Sequence, residues 1–209
     1  PMLLRSECTF GVWCIAGMPD RVGHDVYGLF VADGDLAVTD GKIAALGKVT
    51  GQAKETVDAA GLYLAPGFID IHSHSDDSIL DCPTAESRIL QGVTTDVGGN
   101  CGGSEAPSKA FPAMADFLAA VEQAKPSINS ATLVGHGTVR KAVMGYSRDE
   151  ATDEQIAQMQ ALTAKAMEEG AFGISTGLIY PPSCYSTTDE LVRVVSAVAP
   201  YGGYYATHM

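Results

Sequence analysis

Leu64-Ala65-Pro66-Gly67-Phe68-Ile69-Asp70-Ile71-His72-Ser73-His74 is the stretch on which the reading of this chain turns. An apolar run that ends abruptly in polar residues is the pattern of a buried parallel strand with function at its carboxyl end. Gly67–His72 is taken as that strand. Residues two apart on a strand share a face. His72 and His74 therefore present both imidazoles to one side, close enough to share one metal. Neutral imidazole is a good zinc ligand. A bare His-x-His also suits two histidines held by local hydrogen bonds. Its place at the polar end of an apolar strand favours metal.

Downstream of Pro66 the chain alternates strands and helices. Thr84–Gln91 reads as a short helix and Val93–Val97 as a second strand ending in Gly98-Gly99-Asn100-Cys101-Gly102-Gly103. Met114, Phe117, Leu118 and Val121 recur at helical spacing. Ser130–Val134 is a third strand ending in Gly135-His136-Gly137. Thr152-Asp153-Glu154-Gln155 is a capping box, opening a helix with Ile156, Met159, Thr163, Ala166 and Met167 on one face. Ala171–Thr176 is a fourth strand. Thr187-Thr188-Asp189-Glu190 is a second capping box, for a helix running to about Ala199, and Tyr204–Thr207 is a fifth strand. Such alternation implies parallel βαβ units. Polar or glycine-rich strand ends suggest a TIM (β/α)8 barrel, with chemistry at the carboxyl ends of its strands. About five of its eight units are present. A five-unit barrel would leave an open edge, so the expectation is either a barrel truncated after about the fifth strand or a flavodoxin-like sheet. The candidate site residues favour the barrel. The chain opens on Pro1 and not Met, which also suggests a fragment.

Upstream, short β-type runs (Gly28–Ala32, Asp35–Val38, Lys42–Leu46, Glu55–Asp58, Leu62–Leu64) are separated by turns such as Asp33-Gly34 and Asp40-Gly41. They read as small antiparallel strands with hairpins. Residues 1–24 show no period and stay unassigned. The expected division is therefore an unassigned 1–24, a small β-domain at 25–64, and the α/β part at 65–209.

Further positions could do chemistry. Cys101 lies at a strand end between Asn100 and Gly102; it is either an inert thiol or, from that position, a metal ligand. His208 ends the fifth strand and by the same rule faces the barrel mouth. Alone it would be as much structural as functional; with His72, His74 and Cys101 it completes a coherent set. Tyr180 follows the fourth strand and is either a substrate-contacting hydroxyl or an amphipathic rim residue. His136 reads as a supporting or structural residue and His24 as structural. Asp76 and Asp77 could orient a ligand histidine, but a solvated acidic loop is the preferred reading. No GxxxxGK[ST] is present and no GxGxxG opens a helix, so the glycine-rich stretches are not phosphate loops.

Composition narrows the classes. The chain has 209 residues, 46% of them hydrophobic, enough to bury a core. A net charge of −12 disfavours nucleic acid and anionic membrane surfaces as partners. Five irregularly spaced cysteines argue against a disulfide framework and for a reducing, cytoplasmic setting. No apolar run could span a bilayer. Residues 8–17 make only a weak signal-peptide core, with Glu7 intruding.

Leu64–Asp76 is similar to the first-strand signature of the amidohydrolase superfamily. Four further stretches, Gln91–Thr95 with Gly99–Gly102, Val134–Arg140, Gly170–Pro182 and Gly203–Met209, resemble the N-acyl-D-amino-acid deacylase (D-aminoacylase) branch. Residues 1–24 do not resemble the family's usual start, and the segment after Glu105-Ala106-Pro107 is shorter than in several members. The resemblance implies a metal-dependent barrel with a small β-sandwich, to which residues 25–64 contribute. It implies a tight zinc held by Cys101, His208 and a residue beyond Met209, with a second, weaker metal position at His72 and His74. It places the acid/base aspartate beyond Met209 as well. Many superfamily members bridge two metals through a lysine on the fourth strand; Gly173–Gly177 has none, and Cys101 takes that role, which disfavours dihydroorotase- and hydantoinase-like readings. The implied activity is hydrolysis of N-acyl-D-amino acids, small-molecule substrates, with these 209 residues inactive alone. A cyclic-amide amidohydrolase and a non-catalytic metal-binding fragment are the alternatives.

Overall fold

The computed structural model describes residues 2–4, 13–16, 34–58 and 63–208. Two compact units emerge, one of Pro1–Phe68 with Leu90–Thr94 and one of Ile69–Ile89 with Thr95–Met209. Strands β1 (Met2–Leu4), β2 (Trp13–Ala16), β3 (Asp35–Thr39), β4 (Lys42–Gly47) and β5 (Tyr63–Pro66) belong to the first unit. β1 pairs antiparallel with β3, β3 with β4, and β2 with β5. The β3–β4 hairpin closes through Asp40-Gly41, both at positive φ (52° and 72°). An Asp-Gly pair in that conformation matches the twist of the strands it joins. Residues 1–24, which showed no period, thus supply two strands. The expected strand Gly28–Ala32 lies outside the described residues. Glu55–Asp58 forms no strand, only an isolated bridge at Thr56. Glu55, Thr56 and Asp58 are exposed and Val57 alone is half-buried, so there is no apolar face to seat.

The remaining elements are β6 (Phe68–Asp70), α1 (Glu86–Ile89), β7 (Val93–Gly98), α2 (Met114–Ala124), β8 (Asn129–Thr132), β9 (Val134–Gly135), α3 (His136–Met144), α4 (Asp153–Glu168), β10 (Gly173–Gly177), α5 (Thr188–Ser196) and β11 (Tyr204–His208). They form two sheets, ordered β6-β7-β8 and β9-β10-β11. β7 runs parallel to β8, and β10 is parallel to both β9 and β11. The fold is mixed α/β with parallel pairing, as the alternation of elements requires.

Several expected elements shift. The strand placed at Gly67–His72 is only Phe68–Asp70, and it is not buried: Phe68 is 49% exposed and Ile69 62%. It lies at the edge of its sheet among the described residues, so one flank is uncovered. Ser130–Val134 is two short strands rather than one. Leu133 N still donates to Gly98 O and Thr132 O accepts from Phe172 N, so this run passes from β7 to the β10 side. The fourth strand begins at Gly173 rather than Ala171, and α5 ends at Ser196.

The core of the second unit is built by the expected helical faces. Met114, Phe117 and Val121 of α2 pack with Ile156, Met159, Ala166 and Met167 of α4, Ile174 of β10 and Val194 of α5. α4 starts on a reciprocal capping box: Thr152 Oγ1 accepts from Gln155 N at 3.3 Å, and Gln155 Oε1 accepts from Thr152 N at 2.9 Å. Glu169 Oε2 accepts from Met114 N at 2.9 Å, satisfying a free donor of α2 from outside the helix. Among the described residues no helix is long and apolar enough to cross a membrane.

Candidate metal centre

The carboxyl ends of β6, β7 and β11 converge on one thiol. Cys101 Sγ lies 3.3 Å from His72 Nε2 and 3.4 Å from His208 Nδ1. The donor atoms of His72, His74 and Cys101 all lie within 4.8 Å of one another. Cys101 and His208 are half-buried, and His72 and His74 are exposed. A tetrahedral zinc with ordinary bond lengths separates a sulfur and a nitrogen ligand by about 3.6 Å. The two sulfur–nitrogen distances here match that spacing, and imidazole with thiolate is a zinc-type donor set. His72, His74 and Cys101 thus form a group able to hold one ion, while His208 approaches it through the thiol.

The turn that carries Cys101 is held by close backbone approaches. Asn100, buried, donates its amide Nδ2 to Val97 O at 2.9 Å and Ser73 O at 3.3 Å. Gly102 N donates to Ser175 Oγ at 2.9 Å. Gly102 has φ 79°, and a Cβ there would lie 2.7 Å from Gly177 N, so only glycine fits. His208 sits opposite Gly177 in the parallel register of β10 and β11.

A cleft of about 400 Å³ opens beside this group, with His74, Asp76, Cys101, Lys141, Tyr146 and Tyr180 among its walls. Tyr180 is 48% exposed, and its ring leans against that of His208 with centroids 5.5 Å apart. The tyrosine is thus a rim residue of the cleft.

Asp76 differs from its expected place in a solvated loop. It is 5% exposed, and its Oδ1 has no hydrogen-bond partner. Burial pushes its carboxyl above the ordinary range, partly offset by the Gly99 N–H. A Cβ on Gly98 would lie 2.7 Å from Asp76 Oδ1, so glycine in β7 makes the space. Asp77 is exposed, as expected.

His136 is fully buried, outside the thiol–imidazole group. Its Nδ1 lies 3.1 Å from Ser183 Oγ and its Nε2 3.1 Å from Glu190 Oε1. Arg140, one turn further along α3, donates Nε to the same Glu190 oxygen at 3.0 Å. Hydrogen bonds from His136 and Ser186 and the Arg140 charge outweigh the opposing effect of burial and lower the Glu190 carboxyl. The second capping box is therefore only half formed: Thr187 Oγ1 accepts from Glu190 N, but the Glu190 carboxylate faces α3. Glu190 and Arg140 escape sequence reading, because both sit among charged residues of amphipathic helices. His24 lies outside the described residues.

Residues 55–202 match the amidohydrolase family. The chain is 44% identical, over 84% of its length and 40% of the relative's, to D-aminoacylase from Alcaligenes xylosoxydans xylosoxydans. It superposes on a crystal structure of D-aminoacylase with a TM-score of 0.78 at 41% identity, over 84% of this chain and 41% of that one. A TM-score of 0.79 at 35% identity, over 84% of this chain and 40% of that one, relates it to N-acyl-D-glutamate deacylase from Bordetella bronchiseptica, complexed with zinc and a phosphonate inhibitor. The chain spans about two-fifths of the length of these relatives. Similarity to the D-hydantoinase of Ralstonia pickettii extends over only 36% of the chain and 17% of that relative, at 38% identity.

Proposed function

The chain belongs to the amidohydrolase family, and from that premise we propose that it is part of a zinc-dependent N-acyl-D-amino-acid deacylase. In this reading the second unit supplies the first five βα units of a TIM (β/α)8 barrel, and residues 25–64 supply part of a small β-sandwich. The reaction is hydrolysis of a linear amide bond, giving a carboxylate and a free D-amino acid. The observation that carries the proposal is the Cys101 thiol, 3.3 and 3.4 Å from two imidazole nitrogens, one in the turn after β6 and one on β11.

Cys101 and His208 would hold the tight metal, with a third ligand from sequence following Met209. His72 and His74 would form the weaker second position. Zinc bound here supplies Lewis acidity toward the amide carbonyl and acidifies water. The chain's own part is to fix the donors and shape the cleft. Gly102 and Gly177 let the Cys101 turn press against β10. Tyr180 at the rim offers a hydroxyl to a polar substrate group. The cleft, at about 400 Å³, is the size of a small-molecule site. The family resemblance assigns the proton carrier to an aspartate outside these residues, so turnover is to be measured on the full-length protein.

Two measurements test the proposal. Metal analysis of the wild type against Cys101→Ala, His208→Ala and His72→Ala should show loss of zinc, greatest for the first two. The full-length protein, supplied with zinc, should hydrolyse N-acyl-D-amino acids in preference to their L-forms and to hydantoin rings. Failure on every N-acyl-D-amino acid offered, or preference for ring amides, would overturn the assignment.

A further inference from the structure

One cation stands beside the His72–His74 turn with a role that the metal reading does not use. Arg88, on α1, donates Nη1 to Asp70 Oδ2 and Nη2 to Ser73 Oγ, the latter at 3.0 Å. The other Asp70 oxygen, Oδ1, accepts from His72 N at 3.1 Å. Ser73 Oγ accepts in addition from Ser75 N at 3.0 Å. One guanidinium therefore grips the residues two before and one after His72, and through their side chains fixes the backbone N–H groups of His72 and Ser75. The third nitrogen of the same group, Nε, lies 3.5 Å from Asp96 Oδ2. Asp96 is fully buried on β7, and neither of its oxygens has a hydrogen-bond partner. Arg88 is thus its ion-pair partner, and the buried carboxylate anchors the guanidinium from behind.

We propose that Arg88 is a positioning residue for the His72–His74 pair, acting as a planar fork that holds the Asp70–Ser75 turn in a metal-receiving geometry. The inference rests on the metal reading above and deepens it. Charge compensation of Asp96 alone would need a cation but no fork. The two bonds to Asp70 and Ser73 use separate nitrogens in one plane, which guanidinium provides and an ammonium does not. The turn is tied to the thiol as well, because the Asn100 side chain bonds Ser73 O and Asn100 directly precedes Cys101. Removing the fork should loosen the histidine pair, while Cys101 keeps the Asn100 bond to Val97 O and the Gly102 bond to Ser175 Oγ as its own support.

The test uses the full-length protein with zinc and cobalt as probes, measuring affinity by chelator competition and the thiolate-to-cobalt absorption band. Outer groups that orient metal ligands are worth about 10- to 100-fold in affinity. Arg88→Met is expected to weaken the lower-affinity metal by about that factor, with the thiolate band retained. Arg88→Lys is expected to recover thermal stability, through Asp96, yet show the same loss of affinity. Ser73→Ala removes one tine of the fork and is expected to weaken the same metal, which keeps the test alive if Arg88→Met does not fold. Wild-type affinity in Ser73→Ala and Arg88→Met, or affinity restored by Arg88→Lys, would overturn the inference. A His72→Ala protein that keeps wild-type metal uptake would instead sink the metal reading itself.

Discussion

Replacing Glu190 with alanine should break a fully buried ion pair in the second unit and cost this protein much of its stability. The carboxylate is fully buried, and one of its oxygens accepts from Arg140 Nε at 3.0 Å, His136 Nε2 at 3.1 Å and Ser186 Oγ at 2.9 Å. Without it, Arg140 keeps its bonds to Ser147 O and Asp149 O but loses its counter-charge. Breaking a buried pair by removing one partner costs about 3–5 kcal/mol. At about 2–4 °C per kcal/mol for a chain of this size, the midpoint should fall by roughly 6–20 °C. Glu190→Gln keeps an acceptor and should lose less. The pH dependence gives a second handle. The folded carboxyl lies below its ordinary 4.5, so its stabilisation is complete above that value and is lost as pH falls through the lower, folded pKa. The stability gap between wild type and Glu190→Gln should therefore narrow below pH 4.5. Urea unfolding followed by circular dichroism, near neutrality and through the acid range, measures both effects. A Glu190→Ala loss under about 1 kcal/mol, no larger than an average point substitution, together with a gap that does not change with pH, would refute the reasoning.

Three other substitutions probe separate links. Cys101→Ser should abolish the thiolate-to-cobalt absorption and lower zinc content, while unfolding stays within about 1 kcal/mol of wild type, as expected of a half-buried position. Thr152→Ala should remove the cap of α4 and cost about 1 kcal/mol in urea unfolding, without change in metal affinity. Gly135→Ala would place a Cβ 2.4 Å from Gly102 O; it should both destabilise the protein and weaken zinc binding, read by chelator competition, because the displaced backbone adjoins Cys101.

What could be read in the sequence was whatever is decided locally. The buried face of α4, Ile156, Met159, Thr163, Ala166 and Met167, follows from helical period and a capping box whose members lie three residues apart. The Asp40-Gly41 hairpin is similarly self-contained. α3 escaped because it begins directly on a strand end with Gly135 as its cap, which offers no capping side chain. Its first residues read as a glycine-rich loop. Asp76 reads as solvated because acidic residues usually are; its burial is made by Gly98, more than 20 residues away. Glu190 occupies a correct capping-box position, yet His136 and Arg140, about 50 residues earlier, claim its carboxylate. His72, His74, Cys101 and His208 were visible individually, but it is the packing of the Cys101 turn against β10, whose register sets Gly177 opposite His208, that brings Cys101 and His208 to 3.4 Å.

The backbone at Cys101 is unusual as well. Its φ is 56°, a left-handed conformation that costs a non-glycine residue about 1–2 kcal/mol. Its neighbours Gly99 and Gly102 are also left-handed, at φ 71° and 79°, but carry no such penalty. A sequence selected for stability alone would place glycine at 101 as well. The strained position instead bears the side chain whose sulfur stands between His72 and His208. The surrounding bonds, from Asn100 to Val97 and Ser73 and from Gly102 to Ser175, hold the turn whatever residue occupies it. Strain that persists in a well-supported turn belongs to the side chain and not to the turn. On the proposed function, the left-handed turn at Cys101 is retained because it places the thiol between His72 and His208.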